Sequence, residues 1–172
     1  MGWVVVLVFV ALGIFYILLT VKINKFDMSA RDKCSEIDTG LWDRAHQLSK
    51  IVDILDKKDI KHTIDVLDVN TFGLGMPPVM QATNADKLDK QDEILREVLK
   101  EHPELKEDEE FETHLNKFND ARNELIRASM AYNKSANEFN HLIAGFPASI
   151  IAMIYKKKDK AIFIYFFKEL GD

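Results

Sequence analysis

The chain has 172 residues, a formal net charge of −5, one cysteine and five histidines. That balance offers no broad basic field for a polynucleotide backbone, so nucleic acid is not an expected partner. The lone cysteine, Cys34, cannot form an internal disulfide and reads as a small apolar core residue.

Trp3 to Val21 contains no charged residue. As an α-helix this run reaches roughly 28 Å, close to the thickness of a bilayer's hydrocarbon, which predicts a transmembrane anchor over residues 1–23. A cleaved signal peptide would need a basic start, a shorter apolar stretch and a small-x-small exit, whereas Lys22, Asn24, Lys25 and Phe26 follow this run. Lys22, Lys25, Arg31 and Lys33 lie immediately beyond it, so the expected topology is single-pass, with the short N-terminus outside and the body in the cytoplasm.

Residues 24–155 read as one helical bundle. Ala30, Cys34, Ile37, Leu41, Arg44, Leu48, Ile51 and Leu55 recur at steps of four and three, and nothing between Lys22 and Ala30 forces a stop, so the anchor is expected to continue into this helix. Gly40 weakens it by roughly 1 kcal/mol without breaking it. A short second helix is predicted over 57–68. The loop that follows, 69–83, carries Phe72, Leu74 and Met76 either as a partner surface or packed over the second helix. A third helix is predicted from an Asn84 cap to Glu101, before Pro103. The fourth opens on the acidic run Glu107–Glu110 and carries Phe111, Leu115, Phe118, Arg122, Leu125, Ser129, Tyr132, Ala136, Phe139 and Ile143 on one face. Ala148 to Tyr155 forms a short last helix. The expected fold is therefore all-α, an anchor helix running into an antiparallel four-helix bundle.

Residues 156–172 form a basic and aromatic tail. Lys156, Lys157 and Lys158 precede an apolar stretch ending in Phe166 and Phe167, which either meets lipid headgroups and interface or packs across the end of the bundle.

The histidines form no HExxH arrangement, Gly73–Gly75 lacks the rest of a phosphate loop, and Ser, Cys and His occur without a triad context. No catalytic residue, metal ligand or cofactor is assigned. Asn133 and Asn140 stand out because mid-helix asparagine is unfavourable without compensating hydrogen bonds. Each follows a core aromatic, and they are expected to pin helix register inside the bundle or, alternatively, to contact a partner or ligand. Arg44 and Arg122, on apolar stripes, are expected to pair with acidic neighbours such as Asp38, Asp43 or Asp120, or to extend their heads out of the core.

HPELKEDEEFETHL at 102–115, AYN at 131–133, EFN at 138–140 and FPASIIA at 146–152 resemble the LemA family in order and spacing, and SEIDTGLWDR at 35–44 resembles its first cytoplasmic-helix motif. Cys34 stands where that family usually has Trp, and Ser129 where it tends to have Arg. The resemblance implies an anchored bundle of the bacterial inner membrane with no established catalytic activity, and a setting near membrane proteases and stress functions. The expected function is a membrane-anchored scaffold or adaptor whose partners are the bilayer and a membrane-associated protein. A ligand-sensing bundle and a membrane-surface enzyme are the alternatives.

Overall fold

The computed structural model describes residues 2–68, 73 and 75–165. One helix, α1, runs without interruption from Gly2 to Lys57. It is followed by α2 (Pro78–Glu101), a 3-10 turn (Pro103–Glu107), α3 (Glu109–Ala144) and α4 (Ala148–Ile154). The architecture is all-α, with no strand among the described residues.

The two halves of α1 meet different surroundings. Gly2 to Leu18 is exposed on every side, with a mean hydropathy of 3.0 in its most apolar window, long and apolar enough to cross a membrane. Beyond it the predicted stripe turns inward: Ala30, Ile37, Leu41, Arg44, Leu48, Ile51 and Leu55 are buried, and Cys34 half-buried. Helix α3 lies antiparallel along this stripe. Gln47 bonds His114 at 2.8 Å, Gly40 faces Leu125, and Ser29 meets Ser135 at 3.4 Å, so rising positions on α1 meet falling ones on α3. Phe111, Phe118, Leu125, Tyr132, Ala136 and Phe139 fill the seam. The Asp108 carboxylate caps α3 by accepting from the Phe111 amide at 3.0 Å, and Lys58 pairs with it at 2.7 Å, tying the far end of α1 to the start of α3.

Two predicted elements differ. Residues 60–68 are not helical. Asp59 takes a positive φ of 55° and ends α1, and the chain returns extended, held by the Asp65 amide donating to Gln91 Oε1 at 2.8 Å and by burial of Ile64. The β-branched Thr63 and Ile64 favour that form, and an extended return covers the length of the bundle with few residues. Helix α2 begins six residues before Asn84, at Pro78. Proline at the first helical position sacrifices an amide that has no intrahelical acceptor anyway, so the Pro pair starts the helix and does not exclude it. Helix α2 runs parallel to α1: Gln81 meets Cys34, and Asp89 and Asp92 meet Arg44.

A Cβ built on Gly40 would sit 3.5 Å from the Leu125 Cα and Cβ, ordinary van der Waals contact. Gly40→Ala therefore gains helix propensity without a clash and is expected to raise stability by about 0.5–1 kcal/mol in chemical denaturation. A loss of stability would mean that α3 cannot accept the methyl group.

Candidate functional site

Two polar constellations interrupt the apolar core. The first surrounds Arg44, which is fully buried. Its Nη1 donates to Asp89 Oδ1 at 2.5 Å, its Nη2 to Asp92 Oδ2 at 3.2 Å, and its guanidinium lies 4.8 Å from the centre of the Phe118 ring. Arg96 Nε reaches Asp92 Oδ1 at 3.2 Å, Arg122 Nε lies 3.7 Å from Asp89 Oδ1, and the Tyr165 hydroxyl donates to Asp89 Oδ2. The acidic partners of Arg44 are thus Asp89 and Asp92 on α2, and not Asp38, Asp43 or Asp120. Burial pushes the Asp92 carboxyl up despite the neighbouring arginines. Burial also pushes the Tyr165 hydroxyl up, and its hydrogen bond to Asp89 adds to the effect.

The second constellation holds the tail. Asn133 and Asn140 do not bond a neighbouring helix. Each amide grips one backbone position of the extended segment after α4: Asn140 Nδ2 donates to the Lys160 carbonyl at 2.9 Å while its Oδ1 accepts from the Lys160 amide at 2.7 Å. Asn133 makes the same pair with Phe163, at 2.9 and 2.8 Å. Between them the Tyr132 hydroxyl donates to the Ala161 carbonyl at 2.5 Å, and burial pushes that hydroxyl up to about 12. Phe163 is buried in the main core. The tail climbs from Asn140 past Asn133 to Asp89, away from the apolar end of α1, so Phe163 and Tyr165 belong to the bundle.

The foot of this segment is fixed on α1. Asp27, buried with 4% exposure, receives Lys157 at 2.6 Å, Lys160 at 2.5 Å and Arg31 at 3.3 Å. Burial works to raise its carboxyl pKa, but the three cationic donors together outweigh it and hold the group well below the usual carboxylate range. Lys157 is therefore committed to an internal ion pair, whereas Lys156 and Lys158 are exposed.

Met76 is buried, its sulfur accepting from Asn84 Nδ2 at 3.6 Å, so of the two readings of this loop Met76 takes the packed one, against the main core and not over a helix at 57–68. The loop is drawn inward by Asp38, which accepts from the Gly75 amide at 2.6 Å and the Gln81 side chain at 2.7 Å. Phe72, Leu74, Phe166 and Phe167 lie outside the described residues. Cys34 is half-buried, its Sγ 3.7 Å from Gln81 Oε1, and burial pushes its thiol up. Four histidines have local partners: His46 stacks on Trp42, His62 meets Asp56, His102 meets Glu104 and His114 meets Gln47. Among the described residues, no three His, Cys, Asp or Glu side chains converge as a metal-binding group.

Sequence reasoning missed Asp27, Asp89, Asp92 and Gln81, whose roles depend on elements far along the chain. Asp27 did carry a signal: a carboxylate one turn before the buried stripe, in register with Ala30 and Cys34.

Asn140→Ala leaves the Lys160 amide and carbonyl without their partners and is expected to lower stability by about 1–3 kcal/mol. Amide exchange should rise at 160–163 well before it rises in α1 or α3. Unchanged exchange there would show that the tail is held without Asn140 by its remaining contacts to Asn133, Tyr132 and Asp27. Asp27 supplies a pH signature. A carboxyl depressed in the folded state gives stabilisation that is complete above its unfolded pKa of about 3.9 and is lost as pH falls below that value. Protection at residues 157–163 should be level from neutral pH to about 5 and fall below about 4, while Asp27→Asn should start lower and stay nearly flat through the same range.

The LemA family model matches residues 75–169, more than half of the chain, and so spans α2, α3, α4 and the tail that the two asparagines hold. Neither the curated proteins nor the solved structures give a match. With the AYN, EFN and FPASIIA motifs placed at the tail clamp and at α4, the chain belongs to the LemA family.

Proposed function

We propose that this protein is a membrane-anchored helical adaptor, fixed by α1 in the bacterial cytoplasmic membrane with its bundle on the cytoplasmic side. The observation that carries this reading is the continuity of α1: the apolar run and the central helix of the bundle are one 56-residue rod. A rod without a hinge holds the bundle at a set distance from the apolar run, as suits a module that presents a surface to neighbours in the same membrane. Lys22 and Lys25, exposed where the apolar run ends, support the orientation.

The presented surface is the cleft between the start of α2 and the tail. Val79 and Ile164 are 70% and 71% exposed, and with Ala82, Ile162 and Tyr165 they line a recess of about 520 Å³. Its partner is a membrane-associated protein, in a setting of membrane proteostasis or stress. A ligand-sensing bundle is the second reading, favoured by a separate cleft of about 540 Å³ lined by Cys34, Met76, Tyr132 and Lys160.

Cys34 is a poor reporter of topology because its thiol is half-buried and shifted up. In a Cys34→Ser background, Met130→Cys places a thiol at a site 66% exposed on α3. It should react with an impermeant maleimide only after the cells are opened, and the chain should stay with membranes through carbonate extraction. A photo-crosslinker at Val79 should then give one discrete protein adduct in native membranes. Labelling in intact cells would reverse the topology, and adducts to lipid alone would overturn the adaptor role.

A further inference from the structure

Helix α4 is pinned to α1 across the point where the apolar run ends. Its Ala148, Ile151 and Ala152 are buried together with Ile23, Phe139 and Ile143, and Leu19 and Phe26 pack against the same cluster. At its end the Tyr155 hydroxyl meets the Tyr16 hydroxyl at 3.3 Å. Tyr16 lies five residues before Val21, about 7 Å back along the helix axis, and helical side chains lean further toward the N-terminus. If Trp3–Val21 occupies the hydrocarbon, the Tyr155 side chain lies inside the membrane boundary, and α4 goes with it.

The outward face of this corner has the matching composition. Phe146 is 84% exposed, Met153 78%, Ile154 61%, and Ile150 and Tyr155 50% each. No charged residue lies between His141 and Lys156, whereas exposed Lys22, Lys25, Lys156 and Lys158 flank the corner on the side where headgroups would lie. An apolar face edged by tyrosine and then lysine is the pattern of a segment lying in the interface.

We infer that the 146–155 corner is a second membrane contact: an interfacial wedge that embeds Phe146, Ile150, Met153 and Ile154 in the acyl boundary of the same leaflet that α1 enters. This rests on the reading of α1 as a membrane anchor. The wedge makes a two-point attachment. A lone helix leaves its cargo free to rotate about the helix axis and to tilt, and a second point off that axis removes both freedoms. Each lysine beside the wedge adds attraction to anionic headgroups that salt weakens, while the apolar contribution persists.

The test uses the full chain in phosphatidylcholine–phosphatidylglycerol vesicles, with Cys34→Ser and a spin label at either Met153→Cys or Met130→Cys. Trp42→Phe leaves Trp3 as the sole tryptophan, and its quenching by brominated acyl chains reports anchor insertion independently of the wedge. The expected result is that the label at 153 collides with dissolved oxygen far more than with a water-soluble nickel chelate, the label at 130 shows the reverse, and Trp3 is quenched. If Trp3 is quenched but the label at 153 is as open to the nickel chelate as the one at 130, the wedge is overturned and the anchor stands. A label at 153 shielded from both reagents would also overturn it, in favour of protein covering that face. An unquenched Trp3 would overturn the anchor and the wedge together.

Discussion

The constraint on which the structure depends is that one helix carries two kinds of surface. Its first 17 residues from Gly2 are apolar around the whole circumference, as only lipid or a partner can satisfy, while from Ile23 onward the apolar positions narrow to a single stripe. Because the rod does not break, every other element takes its height from a residue on α1. The α4 cluster sits at Leu19 to Phe26, the foot of the tail at Asp27, the 75–81 loop at Cys34 and Asp38, and the buried ion network at Arg44. Gly40, midway along, brings the α3 backbone close at Leu125.

The tail poses the problem of an extended segment with no sheet to join. Its amides and carbonyls need partners once it packs on the core, and a helix has no backbone groups to spare for it. Asparagine solves this because its side chain carries the same donor and acceptor pair as a peptide group. The spacing also works. Seven residues of helix, from Asn133 to Asn140, rise about 10.5 Å. The three residues from Lys160 to Phe163, fully extended, span about 10 Å. The two repeats are commensurate, so both amides engage at once, and the backbone is gripped whatever side chains the tail carries.

The fold was legible where a single element carries its own signal. The four-three spacing on α1 and α3 marks the faces that are buried, and the acidic run before Phe111 marks the helix start, with Asp108 as its cap. At 57–68 the spacing of Ile60, Ile64 and Leu67 suits a helical face, but the same residues serve a non-helical segment held to α2 through Gln91. Pro78 falls in the stretch expected to be loop, yet its position at a helix start makes it compatible with α2. The unusual residues of the site were visible, since Asn133, Asn140 and Arg44 each conflict with their local surroundings, but their partners were not. Asp89 lies 45 positions from Arg44, and Phe163 lies 30 positions from Asn133. Local pattern shows that such a residue needs a partner, and tertiary structure decides which one.

The same vertical order bears on how the family's motifs work together. FPASIIA turns the chain at the apolar end of the bundle, the lysines that follow return it to Asp27, and AYN with EFN then carry it up α3. Asp27 stands six residues beyond Val21, about 9 Å along the axis and outside the uncharged run, where it is buried by its cationic partners. Its ion pairs with Lys157 and Lys160 therefore fix the point at which the chain leaves the α4 corner. The depth of α4 and the register of the tail are mechanically linked through that carboxylate: a shift of α4 along α1 would pull on Lys157, and through Lys160 on the Asn140 clamp. Elements joined in this way move as one body, so the recess at Val79 and Ile164 keeps a fixed relation to α1 and α4.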